Sequence, residues 1–216
     1  MLALYGHPFS SYTWKALIPL YANGTAFEFR TLDGEQVESE AFVSEASPQG
    51  KFPVLVDGDQ TVFEASSIIE YLHLRHPGAA PLLPADPAAA IQTRMIDRVF
   101  DNYVMGIMQE SVGEAIRSGG KPDPAVLVSV AERLERSYAW IDTWLADYAI
   151  TVAVTLIECA AAPSLFYADW VHPIPVKFAR LRAWRAHLLA LPAVVRCVDD
   201  ARPYRHYFPL GAPGRD

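Results

Sequence analysis

The chain has 216 residues, of which 51% are hydrophobic and 20% are charged, and its formal net charge is −7. Such a chain is long enough for one large core or two modest ones, and its composition is that of an ordinary globular protein. The acidic net charge argues against a broad nucleic-acid surface, which needs clustered Lys and Arg to neutralise phosphates.

The first 76 residues alternate between strand and helix patterns. Residues 2–5 predict a buried strand, residues 12–24 a helix ending at Asn23-Gly24, and residues 27–32 a second strand. A weakly helical polar segment covers residues 35–46. Two short strands then flank the turn Asp57-Gly58-Asp59, and a helix runs on to the residues before Pro77. The predicted order is therefore β-α-β-α-β-β-α.

The pattern changes after residue 76. Four prolines in residues 77–87 exclude regular structure there, and long amphipathic helices follow, with a break at Gly119-Gly120 and no strand signal. We expect an α/β domain over residues 1–77, a linker over 78–88 and an all-helical domain over 89–216.

Targeting, redox and metal signals are weak. The N-terminus lacks the basic start and long apolar run of a signal peptide, and the apolar stretch 148–168 is interrupted by Glu158 and Pro163, so no membrane span is predicted. Cys159 and Cys197 form no CxxC pair, which favours a reduced, cytoplasmic compartment. The six histidines show no metal-ligand spacing, so no metal site is expected.

Ser10 and Ser11 lie at the start of the first predicted helix. Serine there is most often an N-cap, but its hydroxyl can also donate a hydrogen bond to a thiolate, assisted by the helix dipole. Lowering a thiol pKa by about two units requires about 2.7 kcal/mol. One hydrogen bond to a charged group supplies about 1.5–3 kcal/mol, and a helix terminus adds about 0.3–2 kcal/mol.

Pro53 and Glu64 flank the predicted hairpin. Most X–Pro bonds are trans, but a cis bond at Pro53 would turn the backbone of Phe52 outward to pair with an extended peptide. Glu64 can cap the following helix, or, as a partly buried carboxylate beside free N–H groups, hold the ammonium of an amino-acid ligand. Thr155 and Glu158 have the spacing of a capping box, for which we predict a structural role.

Four segments in the right order resemble the cytosolic glutathione S-transferases, in particular bacterial members of the serine-type classes. They are "LYGHPFSS", "SPQGKFPVL", "FEASSIIEYL" and "TLIECAAAPSLFYA". The resemblance covers nearly the whole chain. It implies a thioredoxin-like N-terminal domain, an all-α C-terminal domain, a cis bond at Pro53 and a homodimer.

The resemblance also implies roles for individual residues. Ser10 would stabilise the thiolate of the co-substrate glutathione, with Ser11, four residues before Lys15, as close competitor and Tyr5 as a weaker third candidate. Phe52 would pair its backbone with the cysteinyl unit beside Pro53. Three further roles complete the site: Lys51 would face a carboxylate, Glu64 would hold the γ-glutamyl ammonium, and the Ala65 N–H and the Ser66 hydroxyl would contribute to the γ-glutamyl carboxylate.

This chain departs from the family pattern at three places. Ala65 stands where a serine is usual, residues 34–46 are acidic where some classes are basic, and Glu158 replaces an aspartate in the capping motif. The first two departures imply weak glutathione binding, whereas the third is compatible with capping.

The electrophile pocket is expected at the domain junction. Its candidate residues are Tyr103, Met105, Met108, Phe166, Tyr167 and Trp170, although Met and aromatic residues at helical spacing more often form plain core. The resulting hypothesis is an enzyme that directs the glutathione thiolate onto a small hydrophobic electrophile. The alternatives are a non-catalytic binding protein of the same fold and a glutathione-dependent isomerase, peroxidase or reductase.

Overall fold

The structure is a computed structural model that describes all residues from 1 to 216. Its first part contains β1 Leu2–Gly6, α1 Ser11–Ala22, β2 Glu28–Thr31, α2 Val37–Ala46, β3 Val54–Asp57, β4 Gln60–Phe63 and α3 Ala65–Arg75. The predicted β-α-β-α-β-β-α order is confirmed.

One four-stranded sheet organises this first part, with strand order β2-β1-β3-β4. β1 pairs with β2 in parallel and with β3 in antiparallel orientation, and β3 and β4 form the predicted antiparallel hairpin. The parallel pair requires a crossover, which α1 supplies. This mixed sheet with helices is the expected thioredoxin-like arrangement.

The rest of the chain is helical from Pro87 onward. Its elements are α4 Pro87–Phe100, a π-helical turn Asp101–Met105, α5 Gly106–Arg117, α6 Pro124–Trp144, α7 Leu156–Val171, α8 Ala179–Ala190, α9 Pro192–Ala201 and a 3₁₀ turn Arg202–Tyr207. The all-helical C-terminal part is therefore confirmed, while the domain limits 1–77 and 89–216 stay a prediction. None of the helices combines the length and apolar character needed to cross a bilayer.

α7 is the centre of the core, with 15 of its 16 residues buried. One hydrophobic cluster joins it to Leu4 of β1 and Trp14 of α1, so the two parts of the chain share a continuous apolar core. At the start of α7, the Thr155 side chain accepts from the helix backbone while the Glu158 side chain accepts from the Thr155 N–H. The predicted capping box is therefore confirmed.

Candidate functional site

The turn between β1 and α1 is fixed from two sides. The Trp14 indole donates a 2.6 Å hydrogen bond to the Pro8 carbonyl, and the Tyr167 hydroxyl donates a 2.7 Å bond to the Phe9 carbonyl. A Cβ on Gly6 would lie 2.6 Å from the Thr13 side chain, so the chain needs glycine there. Because the turn is held from both parts of the chain, the start of α1 has a defined position.

Ser10 and Ser11 lie side by side at that start. Ser10 is the N-cap of α1, and its hydroxyl oxygen accepts from the Thr13 N–H at 3.3 Å. The hydroxyl hydrogen of a capping serine remains free to donate. Ser11, the next residue, is buried, with only 5% of its surface exposed. The capping role therefore leaves Ser10 able to contact a ligand.

Tyr5, the third candidate, faces a different region. It is buried in a small cluster with Leu32 and Val43, and its hydroxyl accepts from Arg30 at 3.1 Å. It lines neither of the clefts described below. The prediction that Tyr5 could reach the thiolate is corrected, because its ring packs against α2 instead.

The loop before β3 leaves the backbone of Phe52 open. The Phe52–Pro53 peptide bond is cis, the isomer that the resemblance implies. Neither the N–H nor the C=O of Phe52 takes part in a hydrogen bond of the chain. The Ser47 hydroxyl steadies the loop, because it accepts from the Lys51 N–H at 2.7 Å and donates to the Lys51 carbonyl at 3.0 Å. An extended ligand could pair with Phe52 as an added strand does.

Glu64 connects β4 to α3 in an unusual conformation. Its φ of 68° is the one positive value among the non-glycine residues, and its side chain makes no capping bond to α3. The sequence suggested a helix cap or a partly buried carboxylate, but the side chain is exposed at the rim of a cleft. No side chain caps α3, so the N–H groups of its first turn have no side-chain acceptor. The first residue of that turn, Ala65, lines the cleft. Backbone strain of this kind clusters at ligand sites.

These segments surround a cleft of about 350 Å³ that we call the polar cleft. Its lining residues are Tyr12, Ser47, Pro48, Gln49, Lys51, Phe52, Pro53, Phe63, Glu64, Ala65, Arg98, Asp101 and Asn102. The lining of the cleft thus includes two cationic groups, Lys51 and Arg98, and two carboxylates, Glu64 and Asp101. Such a charge pattern suits a zwitterionic ligand with separated ammonium and carboxylate groups.

Beneath the polar cleft lies a buried ionic cluster that the sequence did not reveal. Lys15, 1% exposed, has its ammonium 2.5 Å from Asp97 and 2.7 Å from both oxygens of Asp101. Arg98 lies 3.0 Å from the other oxygen of Asp97. Burial raises the pKa of the Asp101 carboxyl, and Lys15 opposes that shift. The cluster joins α1 to α4 through charges that water does not screen.

The Ser66 hydroxyl belongs to this buried cluster. It accepts from Lys15 at 2.9 Å and donates to Asp97 at 2.9 Å. The prediction that this hydroxyl contributes to a ligand carboxylate is corrected, because Lys15 and Asp97 already bind it. These two hydrogen bonds attach the first turn of α3 to α1 and α4.

A second, apolar cleft of about 230 Å³ lies against the start of α1. It is lined by Phe9, Ser10, Ser11, Tyr12, Phe52, Met108, Gln109, Val112, Ile116, Tyr167, Tyr207, Phe208 and Pro209. Tyr12 and Phe52 line both clefts, so the two clefts adjoin. The arrangement offers a polar compartment and an apolar compartment on either side of these two residues.

The structure places two of the six candidates for the electrophile pocket in the apolar cleft and the other four elsewhere. Met108 and Tyr167 line the apolar cleft. Three others, Met105, Phe166 and Trp170, are 1%, 1% and 8% exposed core residues, and Tyr103 is 58% exposed on another face. The prediction that these four residues line the electrophile pocket is corrected. An apolar helix face can form either core or pocket, and residue spacing alone does not separate the two.

Several cleft residues escaped the sequence reasoning. Tyr12 directly follows the two serines, and this adjacency was a signal that could have found it. Arg98 and Asp101 reach the polar cleft from α4 and the π-helical turn, and only tertiary packing brings them there. Tyr207 and Phe208 come from the 3₁₀ turn and the residue after it, about 200 residues from the start of the chain.

The structure brings together no set of metal ligands and contains no activated thiol. No group of three or more His, Cys, Asp and Glu side chains is arranged to hold a metal ion. Cys159 and Cys197 are free and buried, and burial raises the pKa of both thiols. A raised thiol pKa makes each a poor nucleophile at neutral pH.

Comparison with known proteins supports one family. Residues 4–80 match the family model described as glutathione S-transferase, N-terminal domain. A probable maleylacetoacetate isomerase from Caenorhabditis elegans is 24% identical over 202 residues, covering 93% of this chain and 94% of the relative. A stringent starvation protein A homolog from Pasteurella multocida is 31% identical over 166 residues, covering 77% and 74%.

A solved structure agrees with these sequence relatives. The glutathione S-transferase from Methylobacterium radiotolerans in complex with glutathione sulfonate superposes with a TM-score of 0.74 and is 26% identical. The superposition covers 91% of this chain and 94% of that one. Fold, sequence and cleft geometry therefore agree, and the chain belongs to the glutathione S-transferase family.

Proposed function

We propose that this protein binds glutathione in the polar cleft and directs its thiolate onto a hydrophobic electrophile held in the apolar cleft. The observation that carries the proposal is the junction of the two clefts at Tyr12 and Phe52. A bound tripeptide and a second, apolar substrate can meet only where their compartments join. The reaction class is glutathione transfer to an electrophilic carbon.

The groups of the polar cleft match those of glutathione. The exposed Glu64 carboxylate would hold the γ-glutamyl ammonium, and the N–H groups of Ala65 and Ser66 would hold the adjacent carboxylate. The open N–H and C=O of Phe52 would pair with the cysteinyl unit, with Lys51 facing the glycyl carboxylate. A related structure contains glutathione sulfonate, which supports the same class of ligand here.

The start of α1 would then act on the sulfur. A hydroxyl of Ser10 or Ser11 donates a hydrogen bond to the thiolate, and the thiol proton leaves to solvent. The thiolate attacks the electrophilic carbon, forming the C–S bond as the leaving group departs with the bonding electrons. The apolar cleft excludes water from that carbon, which protects the nucleophile.

Glutathione-dependent isomerisation is the second candidate. The similarity to a probable maleylacetoacetate isomerase extends over 93% of this chain and 94% of that relative, which favours it. In such a reaction the thiolate would add reversibly to a conjugated carbon and leave again after bond rotation. The two candidates share the glutathione site and differ in the fate of the C–S bond.

Calorimetry with glutathione and a conjugation assay with an activated chloroarene test the proposal together. We expect Glu64→Gln to weaken glutathione binding about tenfold, through loss of one charge-assisted hydrogen bond, while Glu132→Gln on the exposed face of α6 changes nothing. Ser10→Ala or Ser11→Ala should slow conjugation. Absence of glutathione binding by the wild type at millimolar ligand would overturn the proposal and favour a non-catalytic binding protein.

We also propose that the protein is a homodimer, as the resemblance implies, and that it is cytoplasmic, as the absence of a CxxC pair favours. An open groove of about 650 Å³ between α4 and α6, lined in part by Met95, Tyr103 and Trp140, offers an apolar contact surface. Analytical ultracentrifugation should show a dimer that Trp140→Glu dissociates. A wild-type monomer at micromolar concentration would contradict this.

A further inference from the structure

Tyr12 and Phe52 are the two residues that line both clefts. In the proposed function the sulfur of glutathione must lie at that junction, because the tripeptide occupies one side and the electrophile the other. Of the two clefts, Ser10 and Ser11 line only the apolar one. The side chain best placed at the junction to meet the sulfur with a polar group is therefore that of Tyr12, since Phe52 offers only a phenyl ring.

The hydroxyl of Tyr12 makes no hydrogen bond within the protein, a condition that it shares with three others of the ten tyrosines. Six of the others hydrogen-bond through their hydroxyls: Tyr5, Tyr21, Tyr71, Tyr138, Tyr148 and Tyr167. Among the remaining three, Tyr103 and Tyr207 are each 58% exposed, and Tyr204 is half-buried but lines neither cleft. Tyr12 is therefore the one tyrosine that lines both clefts, and its hydroxyl is unpartnered. Tyr12 is half-buried, and a half-buried hydroxyl without a protein partner is available to a ligand.

The charges around Tyr12 keep its hydroxyl protonated. Burial and the nearby carboxylates of Asp101 and Glu64 raise its pKa to about 12, against a smaller opposing effect of Arg98. Lys51 is the other cation that lines the polar cleft. At neutral pH Tyr12 is therefore a hydrogen-bond donor and not a base.

We propose that Tyr12 is a catalytic residue whose hydroxyl donates a hydrogen bond directly to the glutathione sulfur at the junction of the two clefts. This inference rests on the proposed function and adds a second donor from the first turn of α1. The phenol donates and the thiolate accepts. No covalent bond of Tyr12 forms or breaks, and the thiol proton leaves to solvent as before.

The test is Tyr12→Phe, which removes one oxygen and keeps the ring. The pKa of the bound thiol is measured from the ultraviolet absorbance of the thiolate, in parallel with the affinity for S-methylglutathione, which cannot form a thiolate. A hydrogen bond to a charged group corresponds to about one to two pKa units. We expect the thiol pKa to rise by about that amount and conjugation at mildly acid pH to fall about tenfold or more, with S-methylglutathione affinity unchanged.

Tyr204→Phe is the matched control, because the Tyr204 ring packs against His7 and lines neither cleft. It should leave the thiol pKa unchanged. Normal S-methylglutathione binding by Tyr12→Phe together with an unchanged thiol pKa would overturn the role of Tyr12 and leave the proposed function standing. Absence of glutathione binding by the wild type would overturn both.

Discussion

Two helix starts in this molecule, those of α7 and α3, solve the same local problem in opposite ways. At α7 the hydroxyl of Thr155 and the carboxylate of Glu158 satisfy the backbone donors, and Glu158 is only 2% exposed. At α3 the residue before the helix, Glu64, has a positive φ, and no side chain caps the helix. The α7 start is completed by the protein itself, whereas the α3 start leaves donors open to a cleft.

The difference separates a helix start that the protein completes from one that is open to the ligand proposed above. Free N–H groups at a helix start are satisfied by water or by a ligand, and they stabilise a bound carboxylate. The α3 start is nevertheless anchored, because Lys15 binds the Ser66 hydroxyl from below. Rigid support under open donors is the arrangement expected of a preorganised binding site.

The largest expected effect is on the support beneath α3. Lys15→Met leaves the carboxylates of Asp97 and Asp101 buried without their ammonium, and we expect the free energy of unfolding to fall by about 3–5 kcal/mol. Urea denaturation measures it. The double variant Lys15→Met/Asp97→Asn should recover part of the loss, because one uncompensated charge disappears. A loss below about 1 kcal/mol in the single variant would mean that the cluster is not what anchors α3.

The next effect concerns the completed helix start. Thr155→Ala removes the capping hydroxyl of α7, and we expect the free energy of unfolding to fall by about 1–2 kcal/mol, the upper part of the range for N-cap substitutions. Thr155→Ser is the control, since it keeps the hydroxyl and should stay within a few tenths of a kcal/mol. Equal losses in both variants would attribute the effect to the threonine methyl group instead of the cap.

Glu64→Gly should act in opposite directions on stability and on binding. Relief of the positive φ gains about 1–3 kcal/mol, and the greater freedom of glycine in the unfolded chain costs about 0.4–1 kcal/mol. We expect a net stabilisation of about 1 kcal/mol together with weaker glutathione binding. Glu64→Gln should weaken binding without the stabilisation. A destabilised Glu64→Gly variant would show that the conformation carries no strain.

The smallest effect lies at the far end of α3. Asp57 accepts from Tyr71 at 3.0 Å and lies 2.6 Å from His76, and the hydrogen bond to His76 is the main cause that lowers its pKa. A lowered carboxyl pKa contributes stability that is present above the unfolded-state value of about 4 and is lost as the pH falls through the folded-state value. Asp57→Asn should therefore lower stability slightly at neutral pH, and the difference should vanish in acid. A difference independent of pH would contradict the ionic cause.

The two helix starts also show how far sequence reasoning reaches. The capping box of α7 is a local pattern of residues three apart, so Thr155 and Glu158 could be predicted without any tertiary information. The strand and helix order of the first 76 residues followed in the same way from alternation and turn signals. Lys51, Phe52 and Glu64 were predicted because they lie in short segments that resemble the family, and all three line the polar cleft.

Apart from Tyr12, the site residues that could not be predicted from the sequence take their positions through tertiary packing. Asp101 belongs to a π-helical turn inside an otherwise regular helical pattern, and nothing local in the sequence marks that turn. Lys15 stands in an apolar helix as a single basic residue, and its burial depends on two carboxylates more than 80 positions away. Met105 and Phe166 were assigned to the pocket because an apolar helix face looks the same whether it lines a core or a cleft.

A crystal structure of the complex with glutathione tests the central claim most directly. We predict the tripeptide in the polar cleft, extended beside the backbone of Phe52, with its ammonium at Glu64 and its sulfur between Tyr12 and the serines of α1. Glutathione bound in the groove between α4 and α6, or in the polar cleft with its sulfur directed away from that junction, would contradict the account.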